Sequence, residues 1–310
     1  MLLDLRRTHH PLSAMYIGRF APSPTGALHL GSLLTALASW CDARAAQGKW
    51  LLRIEDIDTT RIQRGATEHI FRSLEHYGLT WDEQVIYQSQ RTALYQHALQ
   101  QLQQQDAIFW CTCTRSQLAQ TSNHLYAGQC RIHHTYRPHA AARLRVEPSI
   151  KINFTDAIFG QQQENLAQTV GDFVVFRRDG LFAYQLAVVV DDALQGVTHI
   201  IRGADLLDNT ARQIYLQQCL GYVTPHYGHI PLIINHLGEK LSKQTGATAL
   251  TFGNPSPLLW QLLRLLGQQP PNVLQSAPRD EILSWAIQHW QLTRIPATLK
   301  LNPITDNNNT

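Results

Sequence analysis

No run of apolar residues in this 310-residue chain approaches the roughly eighteen that a membrane-spanning helix requires, so such a span is excluded. Lysine is scarce: of 26 lysines and arginines only five are lysine, at Lys49, Lys151, Lys240, Lys243 and Lys300. Net charge is also small, +3 at neutral pH, which leaves any contact with nucleic acid to local patches. Cysteine is limited to five, an odd set that makes a poor disulfide framework. Three of them, Cys111, Cys113 and Cys130, cluster, which suits a reducing cytoplasm and a bound metal better than cross-links. There is no internal repeat and no long low-complexity linker. The opening MLLDLRRTHHPLSA has too short an apolar run, broken by Asp4, Arg6 and Arg7, to serve as a secretory signal. Met15 stands just before the first strand, and residues 1–14 read as a flexible N-terminal extension.

What is present is an ordinary globular composition, 44% hydrophobic and 16% charged. MYIGRF reads as a short buried strand that runs into the Pro/Gly-rich loop APSPTGALHLG. SLLTALASWCDARAAQ follows as a helix, with Leu33, Leu37, Trp40 and Cys41 at helical spacing. KWLLRIEDID predicts a second buried strand and Arg61–Tyr77 a second helix. Strand, helix, strand, helix is the pattern of a parallel doubly wound sheet. Gln90–Gln105 predicts a helix with a solvated glutamine face. FVVFRRDGLFAYQLAVVV carries an Asp-Gly turn between apolar runs, as a β-hairpin does. VTHIIRG and HIPLIINH resemble further strands, and ARQIYLQQCLG a helix stopped at Gly221. Beyond Phe252 the chain turns helical and rich in Trp and Leu, then ends in the polar DNNNT.

Three motifs carry chemistry. Arg19-Phe-Ala-Pro-Ser-Pro-Thr-Gly-Ala-Leu-His-Leu-Gly-Ser32 lies where a strand hands over to a helix, whose N-terminal N–H groups and positive dipole end suit phosphate. His29, just before that helix, is placed to hydrogen-bond phosphates as charge develops in adenylate transfer. His-Leu-Gly-Ser alone reads better as a Pro/Gly loop with a helix-capping Ser32 and an incidental histidine; the whole run is more specific. Lys240-Leu-Ser-Lys-Gln244 sets two lysines three apart on a loop, within reach of one polyphosphate. A loop position lets them close over ATP after it binds.

The third motif is Cys111-Thr-Cys113 followed by Cys130. Two thiolates one residue apart and a third further on supply three arms of a tetrahedral zinc site. Chemistry alone leaves the fourth arm open among Tyr126, His124, His133 and His134. Cys41 and Cys219 fall on apolar helix faces and read as core.

The fold predicted from these patterns is α/β. A Rossmann-like doubly wound parallel sheet carries a zinc-bearing insertion and a small C-terminal helical subdomain. Its expected divisions are a first catalytic half over 15–105, the insertion over 106–169, a second half with the lysine loop over 170–247, and the helical piece with its polar tail over 248–310.

Together the first two motifs resemble the His-Ile-Gly-His and Lys-Met-Ser-Lys-Ser signatures of class I aminoacyl-tRNA synthetases, in the right order and separation. The resemblance extends from about Tyr16 to Phe252 through RIEDIDTTR, DDALQGVTHIIRGADLL and TPHYGHIPLI, and is nearest the glutamyl branch. Ser32 replaces the last histidine of the first signature, while Leu241 and Gln244 depart from the second. The resemblance implies ATP and Mg²⁺ at His29, Gly31, Ser32, Lys240, Ser242 and Lys243, with His29, Lys240 and Lys243 catalytic. It implies glutamate at Arg19, Phe20, Ala21, Pro22, Ser23, Glu55, Tyr184 and Arg202. Guanidinium groups at Arg19 and Arg202 suit the two carboxylates, Glu55 suits the ammonium, and Tyr184 offers a hydroxyl.

Only Thr245–Thr310 follows the lysine loop, a small span for an anticodon-reading region. With the three cysteines, that shortage resembles the glutamyl-Q tRNA(Asp) synthetase family, a short glutamyl-type paralogue group. In that family a Cys-x-Cys…Tyr-x-x-x-Cys pattern holds one structural zinc, which points to Tyr126 as fourth ligand. Its members activate glutamate without tRNA and attach it to queuosine in the anticodon of tRNA(Asp). No membrane or protein partner is implied. Rival readings are a truncated glutamyl-tRNA synthetase that charges a 3′ end, a small-molecule adenylyltransferase, and a non-catalytic zinc-stabilised RNA-binding module.

Overall fold

The computed structural model describes residues 15–119, 125–126, 128–234 and 250–301. Its first strands, β1 (Ile17–Phe20) and β2 (Lys49–Ile54), pair in parallel with Phe20 opposite Leu52. Parallel neighbours need a crossover, which α1 (Leu30–Ala45) supplies. Leu33, Leu34, Leu37, Trp40 and Cys41 of α1 are all buried, because the helix is covered on several sides. After α2 (Ala66–His76), β3 (Asp82–Tyr87) joins β2 in parallel. The helix predicted from Arg61 begins five residues later: Thr59–Arg61 form a 3-10 turn, and left-handed Gly65 precedes the first helical residue.

The second half repeats the plan. β9 (His199–Gly203) and β10 (His226–Ile230) are parallel and bridged by α7 (Leu207–Leu220), which stops at left-handed Gly221. β1 and β9 lie side by side, with Thr198 N–H donating to the Ile17 carbonyl at 2.9 Å. Both strands that open the two halves therefore meet at the centre, and crossovers leave in opposite directions. Such a switch point opens a crevice beyond the carboxyl ends of the strands.

The stretch after α3 (Thr92–Gln104) builds two kinds of structure. β4 (Ile108–Cys111), β5 (Ala141–Leu144) and β8 (Phe173–Phe176) form a small antiparallel sheet, with the short α4 (Arg115–Ala119) following β4. β6 (Lys151–Asp156) instead lies parallel to β10 through Asp156 and Tyr227, and pairs antiparallel with the polar β7 (Gly160–Asn165). One turn, α5 (Leu166–Thr169), leads to β8. The hairpin predicted across the Asp-Gly turn is corrected: beyond a lone bridge between Phe176 and Phe182, its second arm is the helix α6 (Tyr184–Leu194). Gln185 through Asp192 are all buried, so the helix is enclosed on every side and its apolar run carries no amphipathic period.

The last helices, α8 (Ser256–Leu265) and α9 (Arg279–His289), do not stand apart. Leu259, Leu262, Ile282 and Ala286 share one core with Leu33, Leu37 and Trp50. Trp290 Nε1 donates to Asp42 Oδ1 of α1 at 2.8 Å, fastening the same face. β12 (Lys300–Leu301) pairs with β11 (Leu232–Ile233), which follows β10 directly. At the end of α8, Gly267 has φ +73°, and a Cβ there would lie 2.2 Å from the Arg294 carbonyl oxygen. Gly267→Ala is therefore expected to cost about 2 kcal/mol or more, read as a lower denaturation midpoint. An unchanged midpoint would show that this junction does not bear on stability. Among the described residues no helix is long and apolar enough to cross a membrane.

Candidate active site

The central crevice is a cavity of about 470 Å³ at the carboxyl ends of β1 and β9. Three segments wall it: the run from Arg19 to Ser23 after β1, the first turn of α1, and Arg202 at the end of β9 with the turn behind it. Glu55, just past β2, and Tyr184, the first residue of α6, close it from the sides. The residues implied for glutamate, Arg19, Phe20, Ala21, Pro22, Ser23, Glu55, Tyr184 and Arg202, thus all line one space. His29, Gly31 and Ser32 line it too. Lys240, Ser242 and Lys243 lie outside the described residues, as does the 1–14 extension.

His29 is the N-cap of α1: its Nδ1 accepts the Ser32 N–H at 3.3 Å, and Ser32 Oγ stands 3.1 Å from Nε2. Histidine so placed satisfies one of the four orphan N–H groups that a helix start leaves. No acidic residue occupies the first turn, so the positive end of the helix is not neutralised from within.

The arginines are held by buried acids. Arg19, 4% exposed, directs Nε to Asp192 Oδ1 at 3.2 Å and Nη2 to Oδ2 at 3.5 Å. Fully buried Arg53 on β2 directs Nη1 to the same Asp192 oxygen at 2.8 Å and Nη2 to Glu55 Oε1 at 3.4 Å. Burial raises the Asp192 carboxyl, but Arg19 and Arg53 outweigh it and hold the group below its ordinary range. For Glu55 burial wins: its carboxyl is raised despite the pull of Arg53 and Arg19. An ammonium beside it would return it to the charged form. The adjacent Asp191 faces elsewhere and accepts from Gln88, Arg91 and Tyr95 at 2.8, 2.6 and 2.7 Å.

Several lining residues carried no assigned part in the sequence. Asp192, behind the wall as the partner of Arg19 and Arg53, is one of two adjacent acids inside an apolar run, a signal of buried pairing that was available. Asp205 also lines the cavity, its carboxylate folded back over Gly203. A Cβ at that glycine would meet Asp205 Oδ1 at 2.5 Å. Arg61, Thr25 and the β11 residues Leu232 and Ile233 also line it; they fall inside the stretches that carry the family resemblance, with no individual part assigned to them.

A second site sits on the antiparallel sheet. The sulfurs of Cys111, Cys113 and Cys130 all lie within 4.8 Å of one another, with Cys113 and Cys130 Sγ 3.5 Å apart. Thiolates at about 2.3 Å around a tetrahedral zinc are separated by similar spans, so the set fits a metal ion. Tyr126 brings its hydroxyl to 3.8 Å from Cys113 Sγ, and that oxygen accepts the Cys130 N–H at 2.7 Å. Its ring is stacked on Phe109 and covered by Arg143. Burial raises the Cys130 thiol, but hydrogen bonds from Tyr126, the Thr112 backbone and the other two thiols hold it at about 7. Of the rival fourth arms, His134 is exposed and turned to Asp106 at 2.5 Å, and His124 lies outside the described residues. His133 is not among the side chains grouped with the three cysteines.

A parallel sheet whose switch point gathers a helix start and two buried arginines around one cavity has the build of a class I tRNA synthetase catalytic domain, and the family comparison shows that class. Residues 17–286 match the family described as tRNA synthetases class I (E and Q), catalytic domain. The chain is 53% identical to the glutamyl-Q tRNA(Asp) synthetase of Thiobacillus denitrificans over 91% of its own length and 96% of that protein. It is 49% identical to the protein of that name from Escherichia coli K12, covering 94% of each. A glutamate tRNA ligase from Elizabethkingia meningosepticum, solved with its amino acid, has a TM-score of 0.77 at 26% identity. That match covers 91% of this chain and 66% of the ligase. The chain belongs to the class I synthetases of the E and Q type, and within them to the glutamyl-Q tRNA(Asp) synthetase family, which are ligases.

Proposed function

We propose that the chain joins glutamate to ATP, releasing pyrophosphate and holding glutamyl-AMP without tRNA, and then transfers glutamate to queuosine in the anticodon of tRNA(Asp). The observation that carries the first step is the meeting of two buried arginines, one raised carboxyl group and an uncompensated helix start around one cavity. Arg19 and Arg202 take the carboxylates, Glu55 the ammonium, and Tyr184 adds its hydroxyl. Phe20 to Ser23 form the floor under the substrate. His29, Gly31 and Ser32 face the phosphates of ATP, which brings Mg²⁺ with it. The glutamate carboxylate oxygen attacks the α-phosphorus, the bond to the β-phosphate oxygen breaks, and charge grows on the departing pyrophosphate. Lys240 and Lys243, with Ser242 between them, neutralise that charge. The name shared by the curated relatives, together with the family resemblance, supports tRNA(Asp) bearing queuosine as the acceptor.

The testing experiment is amino-acid-dependent ATP–pyrophosphate exchange with no RNA present. Glutamate should support it; exchange with none of the twenty amino acids would sink the reading. Lys243→Ala should lower the exchange rate by about 10² while glutamate still binds, if the lysine acts on the transition state. An unchanged rate would remove the lysine loop from the chemistry.

At the second site, Cys111, Cys113, Cys130 and Tyr126 are proposed to hold one zinc per chain in a structural role, since four protein ligands close a tetrahedral shell. Metal analysis should find zinc in the purified protein and much less in Cys113→Ser. Equal zinc in both would exclude Cys113 as a ligand.

A further inference from the structure

The two arginines of the cavity keep different electrical company. Arg19 faces the carboxylate of Asp192, which it shares with Arg53, so one anion stands beside it before any ligand arrives. Arg202 is 3% exposed, and among the described residues its hydrogen bonds go to neutral acceptors. Nε donates to His229 Nε2 at 2.9 Å, Nη1 to Gln213 Oε1 at 2.7 Å, and Nη2 to Thr210 Oγ1 at 2.8 Å and the Leu206 carbonyl at 3.3 Å. These bonds use four of its five N–H donors and fix the plane of the guanidinium.

Each neutral acceptor is itself fixed. His229 Nδ1 stands 2.6 Å from Asp156 Oδ2, while Asp156 Oδ1 accepts the N–H groups of Ile158 and Phe159. A guanidinium cannot accept, so His229 Nε2 must be bare and the proton must sit on Nδ1. Burial holds this imidazole below its ordinary range, and Arg202 adds to that against the pull of Asp156. The only carboxylate in the chain of contacts is thus kept a ring's width away from Arg202. Gln213 is oriented by donating Nε2 to Gln185 Oε1 at 2.9 Å, and Gln185 in turn donates to Asn209 at 2.5 Å. Its oxygen therefore has to face Arg202.

We propose that Gln213 and His229, the latter fixed by Asp156, are the positioning and specificity-determining residues of the pocket: they aim Arg202 while leaving its charge for a carboxylate of the substrate. A cation buried among neutral dipoles lacks its counter-ion, and an acid supplies one where an amide does not. The inference rests on the reading that glutamate fills this cavity.

Gln213→Glu is nearly isosteric and puts a carboxylate on Arg202 Nη1. Its kcat/KM for glutamate in pyrophosphate exchange should fall by about 10-fold to 10²-fold, and its preference for glutamate over glutamine by about 10-fold, with KM for ATP little changed. Gln213→Met keeps the site neutral but removes the acceptor, so KM for glutamate should rise while the preference persists. His229→Gln retains an oxygen near Arg202 Nε and should be milder than His229→Asn, which is too short to reach. In an Arg202→Ala background the Gln213 and His229 changes should add nothing, an outcome that a merely structural role would not give. If Gln213→Glu does not fold, the Gln213→Met and His229 pair decides by the same KM readout. Unchanged preference in Gln213→Glu, unchanged KM in the others, or full effects without Arg202 would overturn the inference. A wild-type chain that lacks glutamate-dependent exchange would instead overturn the reading on which it rests.

Discussion

Pyrophosphate exchange is expected to run about 10⁴-fold better with glutamate than with glutamine at equal concentration. Both substrates fit by volume, so the difference has to come from charge. Arg19 and Arg202 are almost fully buried at the cavity wall, where water cannot replace a missing partner. A carboxylate accepts from guanidinium through both oxygens, whereas an amide turns one acceptor into a donor that faces other donors. Sites built around a buried polar group reject the wrong partner more strongly than sites that only measure shape. Competing exchange assays measure the ratio directly. A ratio within about tenfold would mean that the two arginines do not read the substrate's charge.

Arg202→Ala should lower kcat/KM for glutamate by about 10² to 10³, since truncating one partner of a buried charged pair costs about 2–5 kcal/mol. Two losses combine in that figure. The ligand carboxylate loses its cation, and Gln213, Thr210 and His229 lose the donor around which they are arranged. The second loss also lowers stability, so the thermal midpoint should fall with activity. Arg202→Lys separates the two: it restores the charge without the planar fork and should lie between wild type and alanine. KM for ATP is the internal control, because ATP is expected at the α1 end of the cavity. Equal loss of ATP binding, or kinetics like wild type, would place Arg202 outside the glutamate site.

Much of the sheet was legible because β1, β2 and β9 are short apolar runs with a Pro/Gly loop or a glycine-stopped helix between them. The segment that became α6 was not. Its apolar run fits a buried strand and a buried helix equally, since a fully enclosed element has no exposed face to set a period. The deciding feature was Asp191-Asp192. Both are buried, and a helix directs one to Arg91 and Tyr95 and the other to Arg19 and Arg53. β7 was equally hard to see, because GQQQEN is polar throughout and owes its extended form to pairing with β6. The late start of α2 follows from one left-handed residue, Gly65, which propensity alone does not register.

Legibility of the candidate site depended on family resemblance more than on local chemistry. Residues 19–23, 55, 184 and 202 share no spacing that brings them together, and only the switch-point topology does so. His29 was marked by its motif, but its part as helix cap was not, since histidine is not among the preferred capping residues. The supporting residues Gln213 and His229 carry no such mark as the adjacent acids Asp191 and Asp192 do, and their burial is a tertiary fact. The cysteine cluster is the opposite case: thiols two positions apart at the end of β4 met the third as spacing led one to expect.

The most direct test of the proposed activity supplies labelled glutamate and ATP to tRNA from cells that make queuosine and from cells that do not, then maps the label by nuclease digestion. The expected result is label on tRNA(Asp) alone, within the anticodon fragment at queuosine, and none on queuosine-free tRNA. Label on the 3′-terminal adenosine, or equal labelling of the two tRNA pools, would contradict it.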